Sequence, residues 1–127
     1  MNLIGLDHFV LTVRDVEASC AFYEQLGADV VTFEEDRKAL HLGEQKINLH
    51  EVDNDIELVA EDPTTGGDDF CLVTDMPIGD VERRLREQDI EIIAGPVEQS
   101  GAIGTLTSVY FRDPDTNLVE IGTYNGD

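Results

Sequence analysis

Residues 6–27, LDHFVLTVRDVEASCAFYEQLG, carry a strand, a helix start and a helix stop in one run. His8-Phe-Val-Leu-Thr-Val13 is short, β-branched and bounded by charge, which marks a strand. Asp15 offers an N-cap, and Val16, Cys20, Tyr23 and Leu26 then recur at helical spacing along one face. Gly27 ends the helix. The same order returns downstream. Phe9-Val-Leu-Thr-Val13 aligns with Phe70-Cys-Leu-Val-Thr74, and Asp15-Val16-Glu17 aligns with Asp80-Val81-Glu82. A repeat of about 60 residues constrains the fold more tightly than any single element does.

Working outward, strands are expected at 29–33, 38–42 and 46–51. The turns between them, 34–37 and 43–45, are short and polar, as in antiparallel hairpins. Residues 52–67 are acidic, contain Pro63, Gly66 and Gly67, and read as a linker. In the second half, a strand at 69–74 precedes a helix opened by Gly79-Asp80 that buries Val81 and Leu85. A strand at 90–93 and a break at Gly95-Pro96 follow. Strands at 105–111 and 118–123 then form a hairpin around the turn residues Asp113-Pro-Asp-Thr-Asn117. The expectation is an α+β fold: one domain, 1–127, of two βαβββ modules (3–51 and 68–124) joined by the linker 52–67.

Composition bounds the function. Eight Lys and Arg stand against 28 Asp and Glu in 127 residues, a net charge of −20. That balance disfavours nucleic acid and anionic membranes as partners. Spread along the whole chain, it points to adaptation to a salt-rich cytoplasm, where ions screen the self-repulsion. Cys20 and Cys71 lack CxxC spacing and lie in apolar segments, so both are expected to be reduced core residues. Residues 1–6 show no basic signal-peptide start, and no apolar run approaches the ~20 residues of a membrane span. A cytoplasmic protein is expected.

Strand alternation selects the side chains that can face a cavity. Val119 and Ile121 belong to the packed side, which turns Glu120 the other way; Ile47 and Leu49 likewise leave Asn48 and His50 pointing inward. Glu120 and His50 are expected at matching places in the two halves, as are His8 and Asp69, which precede the aligned Phe9 and Phe70. Convergent His and carboxylate groups suit a divalent Fe, Mn, Ni, Co or Zn ion. The plainer readings differ for each residue: a hydrogen-bonding histidine at His8, a solvated carboxylate at Asp69, an Arg-paired carboxylate at Glu120. Arg112 and Tyr110 flank the last turn, where Arg112 either holds a substrate acid or pairs with Asp113. The charge runs 34–38 and 82–89 read as solvated faces. The loop 100–104 is either a lid or an ordinary glycine-rich connection.

The segment quoted first, together with KINLHE at 46–51 and VYFRDPDTNLVEI at 109–121, resembles the vicinal oxygen chelate superfamily of glyoxalase I, fosfomycin-modifying enzymes, bleomycin-resistance proteins and extradiol dioxygenases. Within it the pattern is most similar to the glyoxalase domain-containing protein 5 group. The resemblance implies that the two βαβββ modules form a paired, partly closed sheet around a shared cavity. The resemblance implies that His8 matches the first-strand histidine ligand and Glu120 the last-strand glutamate ligand. His50 falls where glyoxalase I has a glutamate, and Asp69 replaces a histidine common in metal-dependent members. The implied metal set is therefore His8, His50, Glu120 and Asp69. Glu120 and Asp69 are the candidates for moving a proton, and Arg112, Tyr110 and Asn48 those for contacting substrate. The implied activity is that of a metal-dependent lyase or isomerase like glyoxalase I, acting on a small molecule, as a homodimer. The alternatives are a thiol transferase, an extradiol dioxygenase or a metal-free sequestering protein.

Overall fold

The computed structural model describes residues 1–126 and divides into two compact units, Met1–Gly67 and the segment beginning at Asp68. The first contains β1 (His8–Val13), α1 (Val16–Leu26), β2 (Asp29–Phe33), β3 (Arg37–Leu42) and β4 (Gln45–Glu51). The second repeats this order with β5 (Asp69–Val73), α2 (Ile78–Glu87), β6 (Ala94–Ser100), β7 (Thr105–Arg112) and β8 (Leu118–Tyr124). Each unit is βαβββ, the fold is α+β, and each sheet is open, mixed and four-stranded. The strand orders are β1-β4-β3-β2 and β5-β8-β7-β6, with the first pair parallel in each sheet.

Local chemistry explains the helices. The Asp15 side chain accepts the Ala18 amide at 3.1 Å, and Gly27 closes α1 at φ 116°, a left-handed conformation open to glycine at little cost. One face of the first sheet packs against α1, and Leu11, Val13, Leu40, Ile47 and Leu49 on it are buried. In the second unit Val109, Phe111, Val119 and Ile121 lie under α2 with Val81 and Leu85. Removing these aliphatic and aromatic faces from water is the main stabilising term in each unit.

Three expectations change. The strand expected at 90–93 is instead Ala94–Ser100, so Gly95-Pro96 lies inside a strand. An edge strand tolerates proline because one side of it needs no donor, and the register shift between Ala94 and Val97 accommodates the pair. Gly95 is required there: its φ is +95°, and a Cβ would collide with the Ser108 carbonyl oxygen. The second helix opens earlier than Gly79, at Ile78 after Pro77, with no side-chain cap. Cys20 is buried, but Cys71 is exposed.

The turn Asp113–Asn117 is tied from within. Asp113 Oδ1 accepts the amides of Asp115 and Asn117, and its Oδ2 accepts Asn117 Nδ2, all at 2.9 Å. Asn117 Oδ1 accepts the Asp68 amide at 2.9 Å, which fixes the entry to β5.

Candidate functional site

Cross-strand register assigns the open face of each sheet, opposite its helix. In the first sheet the paired rows are His8–Lys46–His41–Asp29, Val10–Asn48–Ala39–Val31 and Thr12–His50, with Arg37–Phe33 continuing the last. In the second they are Asp69–Leu118–Arg112 and Cys71–Glu120–Tyr110. The alternation expected for Asn48, His50 and Glu120 holds. The matching of His50 with Glu120 does not. With His8 aligned to Asp69, register makes Asn48 the counterpart of Glu120, and His50 the counterpart of Gly122. Counting residues along the strand cannot reveal a whole-row offset; only the inter-strand pairing does.

His8 is exposed, with Nδ1 2.7 Å from Asp7 Oδ2. His50 lies four residues further along the paired strands, on the order of 13 Å at a strand's rise, too far for one ion to bind both. His50 is buried, and its Nε2 lies 3.0 Å from Arg37 Nη2. A guanidinium only donates, so Nε2 is the acceptor, and a positive charge sits where a cation would have to bind. Burial first, then the Arg37 charge, hold the imidazole pKa below its usual value. Arg37 is itself fixed by Glu34 Oε2 at 3.0 Å and by the Phe33 ring, 5.0 Å from its Cζ. Asn48 is buried, and its Oδ1 has no partner among the described residues.

A pocket of about 650 Å³ opens on this face. Val10, Thr12 and His50 form its sheet side, and Val52, Ile56, Leu58, Val59 and Pro63 wall it from the segment that follows β4. Residues 52–63 thus supply the apolar lining of a cavity. Sequence reasoning missed both these residues and Arg37, which it placed in a solvated charge run. The signal for Arg37 was available: hairpin pairing through the turn at Gly43-Glu44 sets it opposite His50.

In the second unit Glu120 stands between Cys71 and Tyr110 on neighbouring strands. Its charge and hydrogen bonding raise both of their pKa values, after burial in each case. The Cys71 thiol is pushed up to about 11, while a hydrogen bond from Gln99 to Tyr110 acts in the opposite direction on the phenol. Glu120 thus stands beside a thiol and a phenol that both hold their protons more tightly than usual. Asp69 is exposed one row away, beside Leu118, and Arg112 is exposed on the same row. Of the candidates, Glu120, Tyr110 and Asp69 thus share one region of one sheet face, with Arg112 at its end.

The donors can be tested against a metal. The first unit separates its two candidate histidines, and one of them faces Arg37; the second offers carboxylates, a thiol and a phenol without an imidazole. Among the described residues of either unit, no three His, Cys, Asp or Glu side chains converge as a metal site. The residues of a single unit do not fit a transition-metal ion.

Comparison with known proteins agrees with this architecture. The chain is 48% identical to the virulence protein STM3117 of Salmonella typhimurium, over 98% of this chain and 87% of that one. The crystal structure of that protein aligns with a TM-score of 0.96, covering 98% of this chain and 100% of the other. The glyoxalase domain-containing protein RDO1 of Mycosarcoma maydis is 42% identical, over 98% of this chain and 70% of that one. At 23% identity and a TM-score of 0.71, a lactoylglutathione lyase from Agrobacterium tumefaciens shares the fold, covering 94% of this chain and 92% of its own. Residues 5–121 match the family description, and the chain belongs to the Glyoxalase/Bleomycin resistance protein/Dioxygenase superfamily.

Proposed function

We propose that the protein is a cytoplasmic small-molecule enzyme of the lyase or isomerase kind, working as a homodimer, with Glu120 as the group that moves a proton. The observation that carries this reading is the Glu120 side chain set between two proton-holding donors, Cys71 and Tyr110, on an open sheet face. A carboxylate so placed takes a proton from carbon beside a carbonyl and returns it to the neighbouring carbon. The Tyr110 hydroxyl donates to the oxygen on which charge develops. Asp69 and Arg112 border the same face and orient the polar end of the substrate. Within the superfamily we place the chain nearest the glyoxalase domain-containing protein 5 group, and the lyase reading takes a substrate whose carbonyl stands beside the carbon that loses its proton.

The test is turnover of the hemithioacetal formed from a 2-oxoaldehyde and a thiol, followed by thioester absorbance. Glu120→Gln is expected to lose at least about a hundredfold in kcat with its fold retained; undiminished turnover overturns the assignment. Elemental analysis of protein purified in high salt without chelator tests the superfamily's divalent ion. About one equivalent of Fe, Mn, Ni, Co or Zn per chain, lost in His8→Ala and Glu120→Ala, would return those residues to the role of ligands. The apolar pocket favours a second reading, a metal-free protein that sequesters its ligand. That reading predicts saturable binding without turnover and indifference to chelators.

A further inference from the structure

The pocket on the first sheet has a feature that the Glu120 chemistry does not use. Its lining is apolar apart from Thr12, His50, Asp53 and Asn54, and His50 has a fixed hydrogen-bonding role. Arg37 donates to Nε2, so the ring proton resides on Nδ1. Among the described residues Nδ1 has no partner. The imidazole that lines the pocket is thus a neutral donor whose second nitrogen is backed by a guanidinium. Arg37 Nε is buried and unpartnered, while Glu34 and Phe33 contact the guanidinium where it meets the ring. Around this donor stand Val10, Val52, Ile56, Leu58 and Val59. A cavity of about 650 Å³ falls in the range that encloses a drug-sized organic molecule.

We propose that this pocket selects an amphiphilic organic acid or ketone, its apolar body against Val10, Val52 and Leu58 and its acceptor oxygen on the Nδ1 proton of His50. At the His50 ring the Arg37 charge behind it favours a carboxylate over a neutral carbonyl, and both over an amine, against the Asp53 carboxylate elsewhere in the lining. This preference opposes the field of the whole molecule: at −20 the chain attracts cations. A preference for the anion can therefore arise only locally. The inference rests on the reading of the chain as a small-molecule protein and specifies the chemistry of the molecule.

Three probes of one shape decide it: 4-phenylbutyrate, 4-phenylbutanamide and 4-phenylbutylamine, titrated by calorimetry into the full chain in 0.5 M KCl. The carboxylate is expected to bind roughly tenfold or more tighter than the amine, with the amide between them. His50→Leu is expected to abolish that ranking while leaving weak binding of all three. In the wild-type protein, 15N NMR of the imidazole is expected to show the Nδ1–H resonance moving with the carboxylate and not with the amine, a readout that does not depend on a variant folding. Equal or tighter amine binding, an unchanged ranking in His50→Leu, or no saturable binding of any probe each overturns the proposal. Hemithioacetal turnover without probe binding sinks this inference alone, and probe binding without turnover sinks the enzyme reading alone.

Discussion

Replacing Glu120 with Gln should make Cys71 more reactive, by an amount the structure bounds. At pH 8 a thiol with a pKa of about 11 is ionised to roughly one part in a thousand, whereas an ordinary cysteine near 8.5 is about a quarter ionised. Cys71 is exposed, so access does not limit it; its thiolate fraction should slow alkylation by roughly 200-fold relative to an ordinary exposed cysteine. Burial is the largest cause of the raised value, and the Glu120 charge and its hydrogen bond come next. Glutamine keeps the shape and a carbonyl acceptor but removes the charge. The pKa should fall while staying above the usual range, because burial remains. Alkylation at pH 8 is then expected to quicken severalfold without closing the 200-fold gap. The assay is iodoacetamide labelling from pH 7 to 11, resolved by peptide mass spectrometry, with buried Cys20 as the slow internal reference. Identical pH–rate profiles for wild type and Glu120→Gln would refute the Glu120–Cys71 contact. Rapid wild-type labelling at pH 8 would refute the raised pKa itself.

Three more expectations follow from other parts of the fold. Asp113→Ala orphans two buried amides and the Asn117 side chain, so it should cost about 3 kcal/mol; a urea-midpoint shift equivalent to less than about 1 kcal/mol would contradict that accounting. His50 has a lowered pKa when folded, so the unfolded chain binds more protons in acid, and stability rises with pH in that range. The His50 contribution should be complete above the unfolded value near 6.5 and fade as pH falls below it, and His50→Gln should flatten that limb of the stability curve. Finally, the net charge of −20 predicts a Tm that climbs between dilute buffer and molar KCl, and a flat response would show that self-repulsion costs the fold little.

The repeat was legible because both copies use the same devices in the same order. Those devices include a β-branched opening strand, an apolar helical face and polar turns, all of them local. What failed was also local in origin. Gly95-Pro96 reads as a break from its own chemistry, yet it sits in a strand because β6 is a sheet edge, and the edge position is a property of the sheet. Cys71 reads as core from its apolar neighbours, yet strand parity turns it to the open face beside Glu120. Asn48, His50 and Glu120 were correctly assigned to open faces, because alternation with buried Ile47, Leu49, Val119 and Ile121 leaves no other direction.

By itself, then, the sequence determined the two βαβββ modules, the caps of the first helix and the side of each sheet that carries polar groups. All of these follow from periodicity and from interactions within a few residues of chain. Only the tertiary structure decided which polar groups meet. It set Arg37 against His50, put Cys71 and Tyr110 on either side of Glu120, and moved His50 a row beyond the counterpart of Glu120. The physical reason is that backbone hydrogen bonds between strands fix register. A change of register by two residues leaves every side chain on its proper face and the hydrophobic pattern intact, while replacing each polar neighbour with another.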